Sequence, residues 1–422
     1  MKTLALILFI AMYVLMIFLP KHRPLYALGV AVVFLVTGIL PIRELGHTIN
    51  WNVLMMISGT MIIVDYFIAS KMPNLLADFL LDKAKNVMWV AIYMSLFSGI
   101  ISAFIDNVAT VLMVAPVGLA ICRKLKINPV AMILSIAVSS NLQGAATLVG
   151  DTTSIMLADF AHMNFMDFFW MLRRPGIFFA VELGALATVP LMMVIFRKDK
   201  EPVHADERTA VTDYLPTVML VLMVLLLIIA SFIPNTPETI NGIICWSLAV
   251  LTVLIDLIRG RDMANLRRTL KNLDIETLAL LLGLFVVIGG ITHAGIINDL
   301  ANLIVRYGSG SIFVLYTIIV WGSVAISAFV DNIPYVATML PVLTAVTAAL
   351  GIPPYLLYFG LLSGATLGGN LTPIGASANI AAVGLLKKEG HEVSFRDFAR
   401  IGIPYTLTAV FVGYLYLWLV WR

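Results

Sequence analysis

The sequence is poor in charge, in cysteine and in long polar stretches. Asp, Glu, Lys and Arg together make up 12% of its 422 residues, against 61% hydrophobic residues and a mean hydropathy of +0.99, values outside the range of soluble domains. No stretch of soluble composition exceeds a short loop, so no extramembrane catalytic domain is expected. Only Cys122 and Cys245 occur, both in or beside apolar segments, which argues against a disulfide framework or a zinc site. HExxH, GxSxG and P-loop patterns are missing, and with them the usual signs of metalloprotease, hydrolase or ATP-driven chemistry. The expected partners are the lipid bilayer and a small ion or anion, with no nucleic acid, no enzymatic activity and no cofactor beyond Na⁺ or H⁺ as a coupling ion.

What the chain has in quantity is apolar sequence of membrane length. The segment 4–19 follows a single Lys2 and ends at Pro20 without a small-x-small cleavage pattern, so it reads as a retained first helix. Ten crossings are expected, at about 3–20, 25–41, 51–70, 129–160, 175–196, 213–233, 239–258, 276–296, 354–386 and 401–420. Two further stretches, 87–122 and 311–350, are each split near the centre by an Asp-Asn pair and read as hairpins entering and leaving by one face. The loops then fall into two sets holding 21 and six of the 27 Lys and Arg residues. That bias places the first set in the cytoplasm and both termini outside it.

The two Asp-Asn pairs belong to a repeat. Ser102 to Val117 and Ser327 to Val342, 225 residues apart, share eight of sixteen positions, and Val149 to Ile155 aligns with Ile374 to Ile380 at the same offset. Residues 1–200 and 213–422 are therefore read as two copies joined by a cytoplasmic linker, 201–212. Five crossings per copy is an odd number, so the second copy is expected upside down. The expected fold is an all-α polytopic membrane protein, an inverted repeat whose halves each hold a re-entrant hairpin and a discontinuous helix. Inverted repeats with a midplane site are typical of secondary transporters.

The chemistry-bearing residues recur with the repeat. Asp106-Asn107 and Asp331-Asn332 suit hairpin tips, because their side chains can cap the helix that follows. Capping alone does not account for a carboxylate at membrane depth, which costs at least about 2.5 kcal/mol when ionised. The segments Gln143 to Ser154 and Gly368 to Asn379 combine Gly, Pro and hydroxyl residues with Asp151 and Asn370, a composition of unwound helices that offer carbonyl oxygens to Na⁺ and N–H groups to an anion. Asp65, Glu182 and Asp256 are the other acidic residues within spans, with Asp256 expected to snorkel or pair beside Arg259. No Lys or Arg is expected deep in the membrane. The interior should therefore be negative, favouring a hard cation bound by oxygen.

The motifs DNVATVLMVAP and DNIPYVATMLP, with TLVGDTTS and TPIGASAN, resemble the ion transporter superfamily, which includes arsenite permeases, NhaD-type sodium–proton antiporters, P protein, citrate carriers and divalent anion–sodium symporters. The resemblance implies two hairpins, two discontinuous helices, a homodimer and elevator-like movement of a transport part against a scaffold. By the same resemblance Asn107, Thr110, Gly150, Thr152, Asn332, Gly375, Ser377 and Asn379 line the substrate site, with Thr153 and Thr372 in the same unwound segments. Asp106, Asp151 and Asp331 are candidates for cation or proton coupling, and Asn107, Asp151, Asn332 and Gly375 for Na⁺. The Asp-Asn tips look more like the antiporter, P-protein and arsenite branches than the Ser-Asn-Thr tips of dicarboxylate symporters. The expected function is secondary transport of a small organic or inorganic anion (citrate- or dicarboxylate-, sulfate- or arsenite-like) coupled to Na⁺ or H⁺. Na⁺/H⁺ antiport is the alternative, and an ion channel is a further one.

Overall fold

The computed structural model describes residues 1–203, 209–259, 263–308 and 310–422; of the expected linker, 204–208 lie outside the described residues. The first half contains α1 (Lys2–Phe18), α2 (Arg23–Val36), α3 (Leu45–Thr48), α4 (Trp51–Ala69), α5 (Met72–Leu81), α6 (Val87–Ser102), α7 (Asn107–Leu125), α8 (Val130–Gln143), α9 (Thr152–Phe160) and α10 (Ile177–Ile195). A two-stranded ribbon, β1 (Trp170–Met171) and β2 (Arg174–Pro175), precedes α10. The second half contains α11 (Leu215–Ala230), α12 (Ile240–Ile258), α13 (Met263–Asn272), α14 (Ile275–His293), α15 (Ile296–Gly308), α16 (Ile312–Ser327), α17 (Asn332–Leu350), α18 (Tyr355–Gly368), α19 (Ser377–Lys388) and α20 (Phe395–Trp421).

The repeat read from sequence sets the element boundaries. Adding 225 to the bounds of α6, α7, α8 and the 3-10 turn Gly144–Ala146 yields α16, α17, α18 and the turn Gly369–Leu371 residue for residue. The helix ends match as well. α7 and α17 both stop at a left-handed residue, Lys126 (φ 54°) and Gly351 (φ 65°), and both close with a bond from the next amide back to the last turn, Ile127 N to Cys122 O at 3.0 Å and Ile352 N to Thr347 O at 3.1 Å. Glycine adopts this conformation freely, whereas Lys126 carries a Cβ penalty there.

Helix packing sorts the chain into two groups. α4 packs along α12 and α2 along α14, with α1 and α11 beside them, so each half lends its helices to the other. α6 packs on α8, α16 on α18 and α10 on α20, forming the second group around the hairpins and broken helices. Gly364 and Gly368 let α18 lie against the backbone of α16 at Val320 and Val324, the close approach that small residues allow between membrane helices. α5 and α15 lead from the first group to the hairpins. A cavity of about 540 Å³ separates the groups, lined by Asn50, which caps α4, Val53 of α4, Phe160 of α9, Ile288 of α14 and Pro341 of α17. The two groups are thus incompletely packed against each other.

Contacts between the halves include a pair of residues 225 apart. Asn141 donates to the backbone of Thr366, its own equivalent 225 residues on, at 2.8 Å. Gly184 of α10 lies against the backbone of Ala409 of α20, so that a Cβ at Gly184 would come within 2.9 Å of that carbonyl oxygen.

Among the described residues α4, α7, α10, α12, α14, α17 and α20 are long and apolar enough to span a bilayer, and α1 and α2 form a pair bent by 118°. The remaining expected crossings are made of shorter or interrupted pieces. The second arm of each hairpin, α7 or α17, has 19 residues, about 28 Å of helix, longer than half a hydrocarbon core requires. Polar contacts follow the two loop sets defined by sequence. Arg123 pairs with Glu389, Arg259 with Asp213 and Arg268 with Asp65 within one set, while Lys2 pairs with Asp299 and Trp421 donates to Pro175 O within the other. Asp65 is therefore a docking point for the amphipathic helix α13, accepting also from Thr269 and Asn272. Asp256 accepts from Asn265 of the same helix.

Candidate functional site

The hairpin tips begin their helices as the sequence predicts. Asp106 caps α7 by accepting from Val108 N at 2.9 Å and Ala109 N at 3.1 Å through one carboxylate oxygen, and Asp331 caps α17 by accepting from Ile333 N at 3.0 Å. The broken helices are interrupted at the predicted places. After each 3-10 turn the chain is extended at Thr147 and Thr372 and again at Asp151 and Ala376, before α9 and α19 start. The same tether joins break and hairpin in both halves, from the Thr147 hydroxyl to Ala103 O and from the Thr372 hydroxyl to Ala328 O.

Gly150 and Gly375 make those junctions possible. A Cβ on Gly150 would lie 2.5 Å from Gly144 O, 2.7 Å from Ser102 O and 2.8 Å from Ala103 O; on Gly375 it would lie 2.6 Å from Gly369 O and 2.8 Å from Ala328 O. Each unwound segment thus gathers carbonyl oxygens from the hairpin tip and from its own first half-helix. Among the described residues, several buried oxygens around it have no protein partner: the hydroxyls of Ser102 and Thr110, the Gln143 carbonyl and the Asn379 carbonyl.

Amide side chains link the two halves. Asn107 Nδ2 donates to Asn141 Oδ1 at 2.8 Å, Asn141 Nδ2 donates to Asn370 Oδ1 at 3.1 Å, and Asn379 Nδ2 donates to the same oxygen at 3.2 Å. Asn370 in turn donates to Val138 O, and Ser140 to Asn107 O, both at 3.0 Å. Every member of this chain is buried, so loss of any one leaves others unpaired in a low-dielectric interior. Thr153 bonds Asp151 at 2.7 Å and approaches Thr366. Among the described residues, no three His, Cys, Asp or Glu side chains are grouped tightly enough to hold a metal ion.

Of the predicted residues, Asn107, Thr110, Gly150, Asp151, Thr152, Thr153, Asp331, Asn332, Thr372, Gly375 and Asn379 are buried about the two breaks and tips, and Asp106 is half-buried. Ser377 is exposed, at the first turn of α19. One expectation is corrected. The interior was expected to hold no basic side chain, yet Arg23, at the bend between α1 and α2, reaches Asp331 with Nη1 2.6 Å from Oδ2. In sequence Arg23 sits in a basic loop, and nothing there marks it as facing inward. Asn141, Gln143 and Thr366 were also missed; the polar run Ser139 to Gln143 within an apolar segment was the available signal.

The helix N-termini at the site fall into two kinds. α7 and α17 are capped by carboxylates, whereas α9 and α19 have no side-chain cap. α19, headed by Ala376, presents a positive dipole end suited to an anion, whereas α9 is headed by the buried Asp151, which like the acidic tips suits a cation.

The citrate transporter family model matches residues 13–362 and, in a second overlapping match, 248–422. An uncharacterized transporter of Mycobacterium tuberculosis is 31% identical over 99% of this chain and 98% of its own length. Human P protein is 25% identical, with 98% of this chain aligned to 59% of that longer protein. Among solved structures, the Alcanivorax borkumensis YdaH transporter superposes with a TM-score of 0.63 at 13% identity, covering 90% of this chain and 89% of that one. Neisseria gonorrhoeae MtrF, described as one of a class of antimetabolite efflux pumps, gives 0.56 at 14% identity over 92% and 83%.

Proposed function

The chain belongs to the citrate transporter family and is a membrane transporter, and from that premise we propose that it moves a small carboxylate anion of the citrate type together with Na⁺ or H⁺. The observation that carries the reading is the division of labour at the site: the N-terminus of α19, which no carboxylate heads, for the anion, and Asp151 at the head of α9 with the acidic tips and the buried oxygens unpartnered among the described residues for the cation. An anion entering a site that already holds Asp106 and Asp151 needs a cation to offset their charge, which is a physical basis for coupling. We infer further that the halves are inverted in the membrane, with the loop set rich in Lys and Arg in the cytoplasm. The group holding the hairpins and broken helices then moves against the α1, α2, α4, α11, α12 and α14 group, and the cavity between them gives it room. A homodimer joined through the stationary group fits this movement.

Reconstituted vesicles test the proposal. Labelled citrate should accumulate only under an inward Na⁺ or proton gradient, and Asp106→Asn should lose the dependence on the cation while the protein stays folded. If Na⁺ alone dissipates a pH gradient and citrate, sulfate and arsenite all fail to enter, the protein is an Na⁺/H⁺ antiporter instead.

A further inference from the structure

The two hairpin tips share the sequence Ser-Ala-Phe-x-Asp-Asn, the same helix bounds and the same capping role. They differ in what faces the carboxylate. Asp331 pairs with Arg23, and these side chains are 8% and 17% exposed, whereas no Lys or Arg among the described residues pairs with Asp106. The asymmetry is built into the chain. The junction of α1 and α2 that carries Arg23 corresponds to the junction of α11 and α12, residues 231–239, where the only charged residue is Glu238. Arg23 is held in place from its own side, its Nε donating to Met16 O at 3.4 Å across the bend. The Tyr13 hydroxyl, bonded to Pro334 O and Thr338 at 2.6 Å each, fixes α1 on α17 beside it.

We propose that Arg23 is a resident cation: its guanidinium fills at the second tip the position that a mobile cation takes at the first, so that coupling runs through the first half alone. The inference rests on the cation-coupled reading above. A guanidinium and a carboxylate buried together satisfy each other, and removing one leaves the other uncompensated. Taking away Arg23 therefore leaves Asp331 seeking a diffusible cation, Na⁺ or H⁺, in the same position. Besides Arg23, the titratable side chain that a neighbouring element places against this end of α17, among the described residues, is Tyr13, bonded to Pro334 O and Thr338; it is not a cation.

The test compares melting temperatures of the purified full chain in NaCl and in choline chloride at equal ionic strength, at pH 6 and pH 8. Arg23→Gln should gain a rise of several degrees with Na⁺ or with falling pH beyond any shown by the unsubstituted protein, because a ligand of the native state stabilises it. The double variant Arg23→Gln with Asp331→Asn should lose that gain, and Arg23→Lys should behave as the parent does. If Arg23→Gln folds only when NaCl is present or the pH is low, the same conclusion holds. Equal responses of Arg23→Gln and parent to both cations, or an equal gain in the double variant, overturn the proposal, as does a single variant that folds in no condition. In vesicles that transport citrate, the Hill coefficient for the cation should rise by about one in Arg23→Gln. Absence of all transport in the parent would sink the proposed function but leave the melting comparison decisive for Arg23.

Discussion

The two halves carry the same elements at the same spacing, yet one break is sealed and the other open. Val149 and Ile155 are each 3% exposed, while their equivalents Ile374 and Ile380 are 59% and 47% exposed; Thr152 is buried and Ser377 is not. The cover explains the difference. α9 packs against α4 and α17, and Asp159 near its end accepts from both Asn50 and Asn52. α19 packs on α7 and α8 instead, and Gly384 stands where Asp159 makes its contact in the first half. On the alternating-access reading proposed above, one closed and one accessible break mark one state of the cycle, and exchanging the roles of the halves would produce the opposite state.

The largest effect should come from the position where the halves are most alike. Gly150→Val forces a side chain into three carbonyl oxygens and should cost about 3 kcal/mol or more of stability and abolish transport, readable by melting and vesicle uptake. Gly375→Val should be equally damaging, and a tolerated Gly375→Val would show that the open break is not built like the sealed one. Next comes the link between the halves. Asn141→Ala strips partners from Asn107 and Asn370 and should cost about 2 kcal/mol, with a loss of transport that Asn107→Ala in the same background barely deepens.

The sealed and open breaks can be compared directly by thiol labelling, since Cys122 and Cys245 are both buried. Ser377→Cys should react readily with a small reagent and Thr152→Cys should be protected. Removing the latch by Asp159→Ala deletes two charge-assisted hydrogen bonds, and should speed labelling of Thr152→Cys roughly tenfold or more if they contribute about 1.5–3 kcal/mol. Equal labelling of the two cysteines would remove the distinction. The smallest effect is expected at the periphery. Arg123→Ala breaks a pair whose arginine is 66% exposed and should change stability by less than about 1 kcal/mol without touching transport.

Local chemistry explains what could be read before the structure. The Asp-Asn tips, the Gly- and Thr-rich breaks and the repeat linking them declare themselves because helix starts and interruptions need particular residues at particular positions. Asn141 is different, since its importance lies in meeting Thr366 and Asn370 of the other half, and an asparagine inside an apolar helix carries no record of its partner. The same is true of Asp65, whose place is set by α13 more than 200 residues later in the chain.

Hydropathy, capping residues and internal repetition were enough to determine a helical membrane protein of two related halves with two broken helices, because each of those features is fixed by backbone hydrogen bonding in a solvent that offers none. Tertiary structure alone decided that Arg23 meets Asp331, that amides join the halves, and that one break is covered while its twin is open. Those outcomes depend on which surfaces come together, and two copies of nearly the same local pattern can be brought together differently.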